Sequence, residues 1–300
     1  PLTFLEFNMD TIVTEFVQAM HSNGIVPTEP ILATGQIQRF HIEGDTSQKK
    51  NGWAVLHSGP FPTGVFGNWK TGEKFRWIHH KPTTPEEQKE FAATMKRLQQ
   101  ELEKTKKREQ KEAATKAREL IDNSNPADSN HPYLIEKQIT PLGKIYQQYE
   151  TLLIPMFDGI TLASVQAIYK DGSKQFLKGG KTKGCYLKLS SMENPDSVIV
   201  CEGFATAATL QSANPGNIVV AAFTASNLAL VAQSMKMLYQ VPIVVAADND
   251  QWTEGNPGLE KGHRAAALVG GELIYPDFTG MDTSSKPTDF NDYVRLGGAL

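Results

Sequence analysis

Cysteine is nearly missing from this chain: Cys185 and Cys201 are the only two in 300 residues, far apart and each in an apolar setting. That excludes a disulfide framework and a cysteine-pair zinc site, and reads as two buried thiols in a reducing compartment. Long apolar runs are also missing, none approaching the roughly 20 residues that a membrane-spanning helix needs. The first residues lack the basic-then-apolar order of a signal peptide. A soluble, cytoplasmic protein without membrane contact is expected. Excess positive charge is absent too: the formal net charge is -3. Any contact with nucleic acid must therefore come from local patches. There is no GxxxxGK[ST] loop, so no P-loop motor is expected. What is present is a 40% apolar fraction and a length that suits two domains better than one.

Apolar residues at helical spacing open the chain (Ile12, Val13, Phe16, Val17, Met20), with Gly24 as a stop. From Ile31 to Ile78 short alternating runs with frequent glycine predict a small antiparallel β module with a tryptophan-rich face. Residues 1–82 thus form an N-terminal α+β module. Thr84-Pro85-Glu86-Glu87 starts a long helix with a capping box, running to about Ile121. Its two apolar stripes (Phe91, Met95, Leu98, Leu102 and Ala113, Ala117, Leu120, Ile121) are separated by the polar run 104–111. That run reads as a solvated spacer helix in preference to the alternative, a nucleic-acid-binding arm. With the linker 123–130 this makes a second segment, 83–130.

A strand-rich subdomain over 131–196 follows, with hairpin turns at Asp158-Gly159 and Asp171-Gly172. From 197 to 300 strands and helices alternate: Val198–Cys201, 217–223, 242–247 and 273–275 are apolar runs of the kind buried on both faces of a parallel sheet. The expected fold class is α/β, with this core preceded by the smaller elements.

The acidic residues lie where those strands end. Glu202-Gly203 follows the first, and Asp248-Asn249-Asp250 follows the third. In an open α/β sheet the carboxyl ends of strands share the edge where ligands bind. Carboxylates crowded there imply a cation. Oxygen ligands with no His or Cys cluster point to Mg2+ or Mn2+, with no zinc expected. A further acidic run, Thr288-Asp289-Phe290-Asn291-Asp292, fits a helix cap and also fits the same cation site through Asp289 and Asp292. Lys178-Gly179-Gly180-Lys181-Thr182-Lys183-Gly184 sets three lysines among glycines, which suits phosphate as well as a plain charged hairpin. In the first module Trp53, Phe66, Trp69, Phe75 and Trp77 form its core or stack bases beside Arg39.

The run Cys201-Glu202-Gly203-Phe204-Ala205-Thr206-Ala207 resembles the Toprim segment of phage and plasmid primases and primase–helicases. So do Ala246-Ala247-Asp248-Asn249-Asp250, Gly255-Asn256-Pro257-Gly258 and Thr288–Asp292. His131-Pro132-Tyr133-Leu134 and the run 176–186 fit the same group, so the resemblance covers about 130–300. It implies Glu202, Asp248 and Asp250 as catalytic metal ligands. It also favours Lys178, Lys181 and Lys183 as groups that hold nucleotide or nucleic-acid phosphate. Arg39, Trp53 and Trp69 lie outside the resemblance and are candidates for nucleic-acid contact by residue type and chain position alone. Expected partners are a single-stranded DNA template, nucleoside triphosphates and a replicative helicase, in the cytoplasm of a bacterial host. The expected reaction is primer synthesis. A Toprim nuclease using the same metals, or a non-catalytic protein that docks DNA or a helicase, are the alternatives. The zinc ribbon of cellular primases has no counterpart among these residues.

Overall fold

The computed structural model describes residues 8–45, 50–59 and 61–300, the side chain of Leu98 excepted. The chain forms two compact units, Pro1–Glu101 and Leu102–Leu300.

In the first unit, α1 (Met9–Ser22) precedes an antiparallel sheet of β1 (Gln38–Phe40), β2 (Gly52–His57), β3 (Thr63–Asn68) and β4 (Lys74–Ile78), hydrogen-bonded in that order. Strand residues alternate between two faces. One face carries Phe40, Ala54, Leu56 and Phe66 into a core with Ile12, Phe16 and Met20 of α1. Phe75 and Trp77 pack on that core. Gly52 and Gly64 are glycines because the rings of Phe40 and Phe16 occupy the space a Cβ would take.

The long helix α2 (Pro85–Asp122) starts as its sequence predicts. The Glu87 amide donates to Thr84 Oγ1 at 3.2 Å and the Thr84 amide donates to Glu87 Oε2 at 3.1 Å, a reciprocal capping box. The two compact units divide at Glu101/Leu102, inside this helix, and not at 123–130. The cause is the second apolar stripe. Ala117 and Ile121 are buried against Leu153, Leu162 and Val165, which ties the last turns of α2 to the second unit. The intervening residues 101–109 are exposed, as a polar run on every side requires.

The second unit holds two sheets. An antiparallel meander joins β5 (Asn125–Pro126), β6 (Tyr146–Gln148), β7 (Thr151–Asp158), β8 (Thr161–Tyr169) and β9 (Lys174–Phe176), with α3 (Pro132–Lys137) between β5 and β6. The expected linker at 123–130 therefore supplies an edge strand. A register shift at Met156/Phe157 lets Phe157 bridge to Tyr186, where chain leads into β10 (Leu187–Lys188) of the other sheet. That sheet contains β11 (Val198–Cys201), β12 (Ile218–Ala221), β13 (Ile243–Ala246) and β14 (Glu272–Ile274), in the order β10-β12-β11-β13-β14. Apart from the antiparallel edge strand β10, its pairings are parallel. Its helices are α4 (Phe204–Ala213), α5 (Leu228–Leu238), α6 (Pro257–Val269) and the short α7 (Phe290–Arg295). Ile199, Cys201, Val219 and Ala221 face α4, whereas Val198, Val200, Val220 and Val245 face α5 and α6. Apolar residues on both faces are what the unbroken runs of these strands predict.

The two stripes of α2 give a direct test of this account. Ala117→Asp places an unpaired charge against Leu153 and Val165 and should cost about 3 kcal/mol or more. Leu102, which is 56% exposed, should tolerate Leu102→Ala within about 0.5 kcal/mol. Urea denaturation of both variants checks the contrast.

Candidate active site

Strands β11 and β13 are parallel neighbours with Cys201 opposite Ala246, so both end at the same level. One residue later the first delivers Glu202; two residues later the second delivers Asp248, then Asp250. Glu202 stands at the head of α4, and its carboxylate accepts a hydrogen bond from the Ala225 amide. Its backbone carbonyl accepts from the Phe223 amide at 2.7 Å. Phe223 adopts φ +70°, a left-handed conformation that a bulky residue rarely takes and that neighbouring structure must enforce.

The loop after β13 is tied down at every step. The Asn249 amide donates to the Thr288 carbonyl at 2.7 Å, and its side chain bridges Pro276 and Asn256. Asn256, at φ +43°, caps α6; Pro257 fills the first helical position. The Gly258 amide then donates to Asp250 Oδ2 at 2.9 Å. A Cβ on Gly258 would collide with the Asp248 carbonyl and the Asp250 carboxylate, so the Gly-Asn-Pro-Gly run is what lets α6 close on the acidic loop. Trp252 anchors the same loop through its indole N–H to the Pro287 carbonyl.

Asp289 is the N-cap of α7, accepting from the Asp292 amide at 2.8 Å. Asp292 accepts from the Thr288 amide and forms ion pairs with Lys137 at 3.5 Å and Arg295 at 3.8 Å. The structure thus gives Asp292 a structural occupation, while Asp289 stays within the field of Asp248.

Burial and neighbouring negative charge act together here. The Asp248 carboxyl is pushed well above the usual range by burial, then by Glu202, Asp289 and Asp250. Burial raises Glu202 and Asp289 as well, with Asp250 and Asp292 adding to each in turn. Asp248 Oδ1 is buried with no hydrogen-bond partner. Among the described residues no three such side chains close on one point as a ready-made cation cage. Glu202, Asp250 and Asp289 are each held instead by a backbone amide. An oxygen-rich set with one enclosed, unpartnered carboxylate oxygen fits a hard divalent cation.

Beside Lys137, which acts on Asp289, the cations that offset these acids are Lys174 on β9, acting on Glu202, Asp248 and Asp289, and Lys261 on α6, acting on Glu202. Sequence reasoning missed Lys174 and Lys261. Lys261 was within reach of it, lying three residues past Gly258 on the same face of α6. Of the basic loop, Lys178 and Lys183 are exposed, and Lys181 is ion-paired with Asp158. The loop itself is clamped by Asn227, which is buried. Its side chain accepts from the Gly184 amide at 2.7 Å and donates to the carbonyls of Thr182, Cys185 and Ala222 at 2.9 to 3.0 Å. In the first unit Arg39, Trp69 and Trp53 come together in one stack, while Phe66, Phe75 and Trp77 go to the core.

A family model described as Toprim domain matches residues 197–299. Two curated relatives, both DNA primase TraC of Escherichia coli, are 31% identical over 283 and 307 residues, 88% and 94% of this chain. The chain spans only 26% and 21% of their lengths. Among solved structures, the primase fragment of the bacteriophage T7 primase-helicase protein is 13% identical. That likeness covers 58% of this chain and 74% of the other, with a TM-score of 0.40. No helix among the described residues is long and apolar enough to cross a membrane.

Two measurements probe the site without any assay of activity. A carboxyl whose folded pKa is raised favours folding at pH values below its unfolded pKa and loses that contribution as pH rises towards the folded value. Cation-free protein should therefore gain from Asp248→Asn: its melting temperature in EDTA at pH 7 equals or exceeds wild type, and the difference shrinks as pH falls towards 4. Asn227→Ala strands the Gly184 amide and three carbonyls, and should cost about 2 kcal/mol by urea denaturation.

Proposed function

We propose that this chain, whose residues 197–299 match a family model described as Toprim domain, carries DNA primase activity, joining nucleoside triphosphates into short primers on single-stranded DNA. The observation that carries the reading is the in-register end of β11 and β13, which hands Glu202 and Asp248-x-Asp250 to one edge of the sheet.

In this reading Glu202, Asp248 and Asp250 hold Mg2+ (or Mn2+), with Asp289 close behind. Bound there, the divalent cation supplies Lewis-acid chemistry that activates a 3′-hydroxyl and neutralises charge on the incoming triphosphate. The chain's own groups do the rest. Asp250 stays oriented by the Gly258 amide, and Lys174 and Lys261 bring positive charge to the side where triphosphate charge arrives. Uptake of the proton from the attacking hydroxyl falls to Glu202 in this reading. Lys178 and Lys183, exposed on the clamped loop, bind phosphate; Lys181 joins them on release from Asp158. The partners are a DNA template, nucleoside triphosphates and a replicative helicase, in the cytoplasm of a bacterial host. The TraC relatives, named as DNA primases, support the reaction class.

Primer synthesis on single-stranded DNA with labelled nucleotides and Mg2+ tests this. Asp248→Asn and Asp250→Asn should each lower the rate by roughly 100-fold or more, the scale of losing a charge-stabilising group at a reacting centre. Changing Lys178, Lys181 and Lys183 together to alanine should raise the nucleotide requirement. Metal-dependent cleavage of DNA without triphosphates, and no primers with them, would overturn the reading in favour of a nuclease.

A further inference from the structure

The sheet of the first unit has a second face, and its chemistry is unlike that of a core. Because strand residues alternate, the partners of the buried set point the other way. Pairing aligns Arg39 with Trp53, Trp53 with Gly67, and Gly67 with Lys74 in one row across all four strands. Spacing between strands makes that row roughly 14 Å long. The next row runs Val55, Val65, Arg76.

Within the first row Gly67 is a structural requirement. A Cβ there would collide first with the Glu73 carbonyl oxygen and then press on the Trp53 indole, with 2.9 Å to its Cζ2, so the glycine lets both the β3–β4 turn and that ring lie close against the strand. Trp69, just past the end of β3, is held by its amide to the Asn51 carbonyl at 2.9 Å. It stacks on Trp53 with ring centroids 5.7 Å apart and planes at 28°. The Arg39 guanidinium lies 4.4 Å from the centre of the Trp69 ring. Neither tryptophan belongs to the α1-facing core, and Trp69 is 46% exposed. Arg39, Lys74 and Arg76 are exposed, and among the described residues no carboxylate forms an ion pair with them.

We propose that this open face of β1–β4 is a binding site for single-stranded nucleic acid, in which unpaired bases stack on the Trp53–Trp69 pair and Arg39, Lys74 and Arg76 take the phosphates. The two ingredients are those that such sites need: aromatic rings at an open sheet face, Trp69 being 46% exposed, and positive charge along the backbone track. A duplex offers its bases no free face, so the stack selects unpaired strands. Cations without carboxylate partners among the described residues, set beside an exposed aromatic stack, favour a polyanion that carries stackable bases over an apolar protein surface. This proposal rests on residues 38–78 and not on the acidic edge.

The test uses the full chain in EDTA without nucleotides, so its outcome is independent of primer synthesis. The probe is a fluorescein-labelled oligothymidine, followed by anisotropy and by quenching of tryptophan emission. Trp69→Ala should weaken binding roughly 10-fold or more, on the scale of one lost stacked base, and Trp69→Phe should retain most of the affinity. Circular dichroism melts identify variants that fold. Arg39→Ala, Lys74→Ala and Arg76→Ala combined should flatten the slope of log affinity against log salt by about 2. If a folded Trp69→Ala variant and the triple variant bind the oligonucleotide as wild type does, the site is refuted. Duplex bound as tightly as the single strand, with the same dependence on Trp69, overturns it as well.

Discussion

Negative charge packed at the ends of two neighbouring strands is the constraint around which the second unit is arranged. Parallel pairing of β11 with β13 puts Cys201 and Ala246 side by side, so the residues that follow have to share an edge. Asp248 bears the consequence most heavily: three other acids and its own burial all act against its charged form. Stability is spent here rather than gained. Such an arrangement persists because surrounding structure over-determines it. Four backbone amides do much of that, those of Ala225, Gly258, Asp292 and Thr288, each donating to a carboxylate. Amides hold carboxylates in place without cancelling their charge, which leaves that charge for a ligand cation to meet.

Support for this edge comes from both sheet faces. On one, Ile199 and Cys201 pack with α4 and with the meander of β5–β9; on the other, Val198, Val200 and Val245 pack with α5 and α6. Each acidic loop is therefore followed by a helix whose own core fixes its start. Gly258 shows how tight the fit is, since even a methyl group there would displace the loop it closes on. Lys174 arrives from the other sheet, so the field at the acids depends on the core that the two sheets share, with the bridge at Phe157 and Tyr186 as one tie between them.

Much of this was legible in the sequence, and particular residues show why the rest was not. Four-residue apolar strands followed at once by Glu or Asp announce a parallel sheet with an acidic edge, because no other common arrangement buries such strands on both faces. The capping box at Thr84 was equally local, and so was readable. Lys174 and Asn227 were not, because their roles arise from contacts distant in sequence, 43 residues in the case of Asn227 and Gly184. The division at Glu101 was hidden for a similar reason. Ala117 and Ile121 look like one more helical stripe until the sheet that covers them is known. In the first unit both parities of β2 are apolar, Trp53 and Val55 against Ala54 and Leu56. Alternation alone could not say which tryptophans face the core, and it took pairing with β3 and β4 to separate Trp77 from Trp53.

That separation bears on how a chain with net charge -3 would handle the polyanions of its proposed function. A protein without an overall positive field must concentrate its cations where they act. Here they are sorted into distinct settings: Arg39, Lys74 and Arg76 on an open sheet face beside two tryptophans, Lys178 and Lys183 on a loop clamped by Asn227, and Lys174 and Lys261 against the acids themselves. Each setting suits a different demand. Exposed cations beside aromatic rings favour a flexible strand and yield to salt; lysines on a fixed, glycine-rich loop suit a compact phosphate; lysines beside carboxylates moderate repulsion until a cation or a triphosphate changes the local balance. Under the proposed function, short-range placement, and not net charge, is what would equip this chain for nucleic acid chemistry.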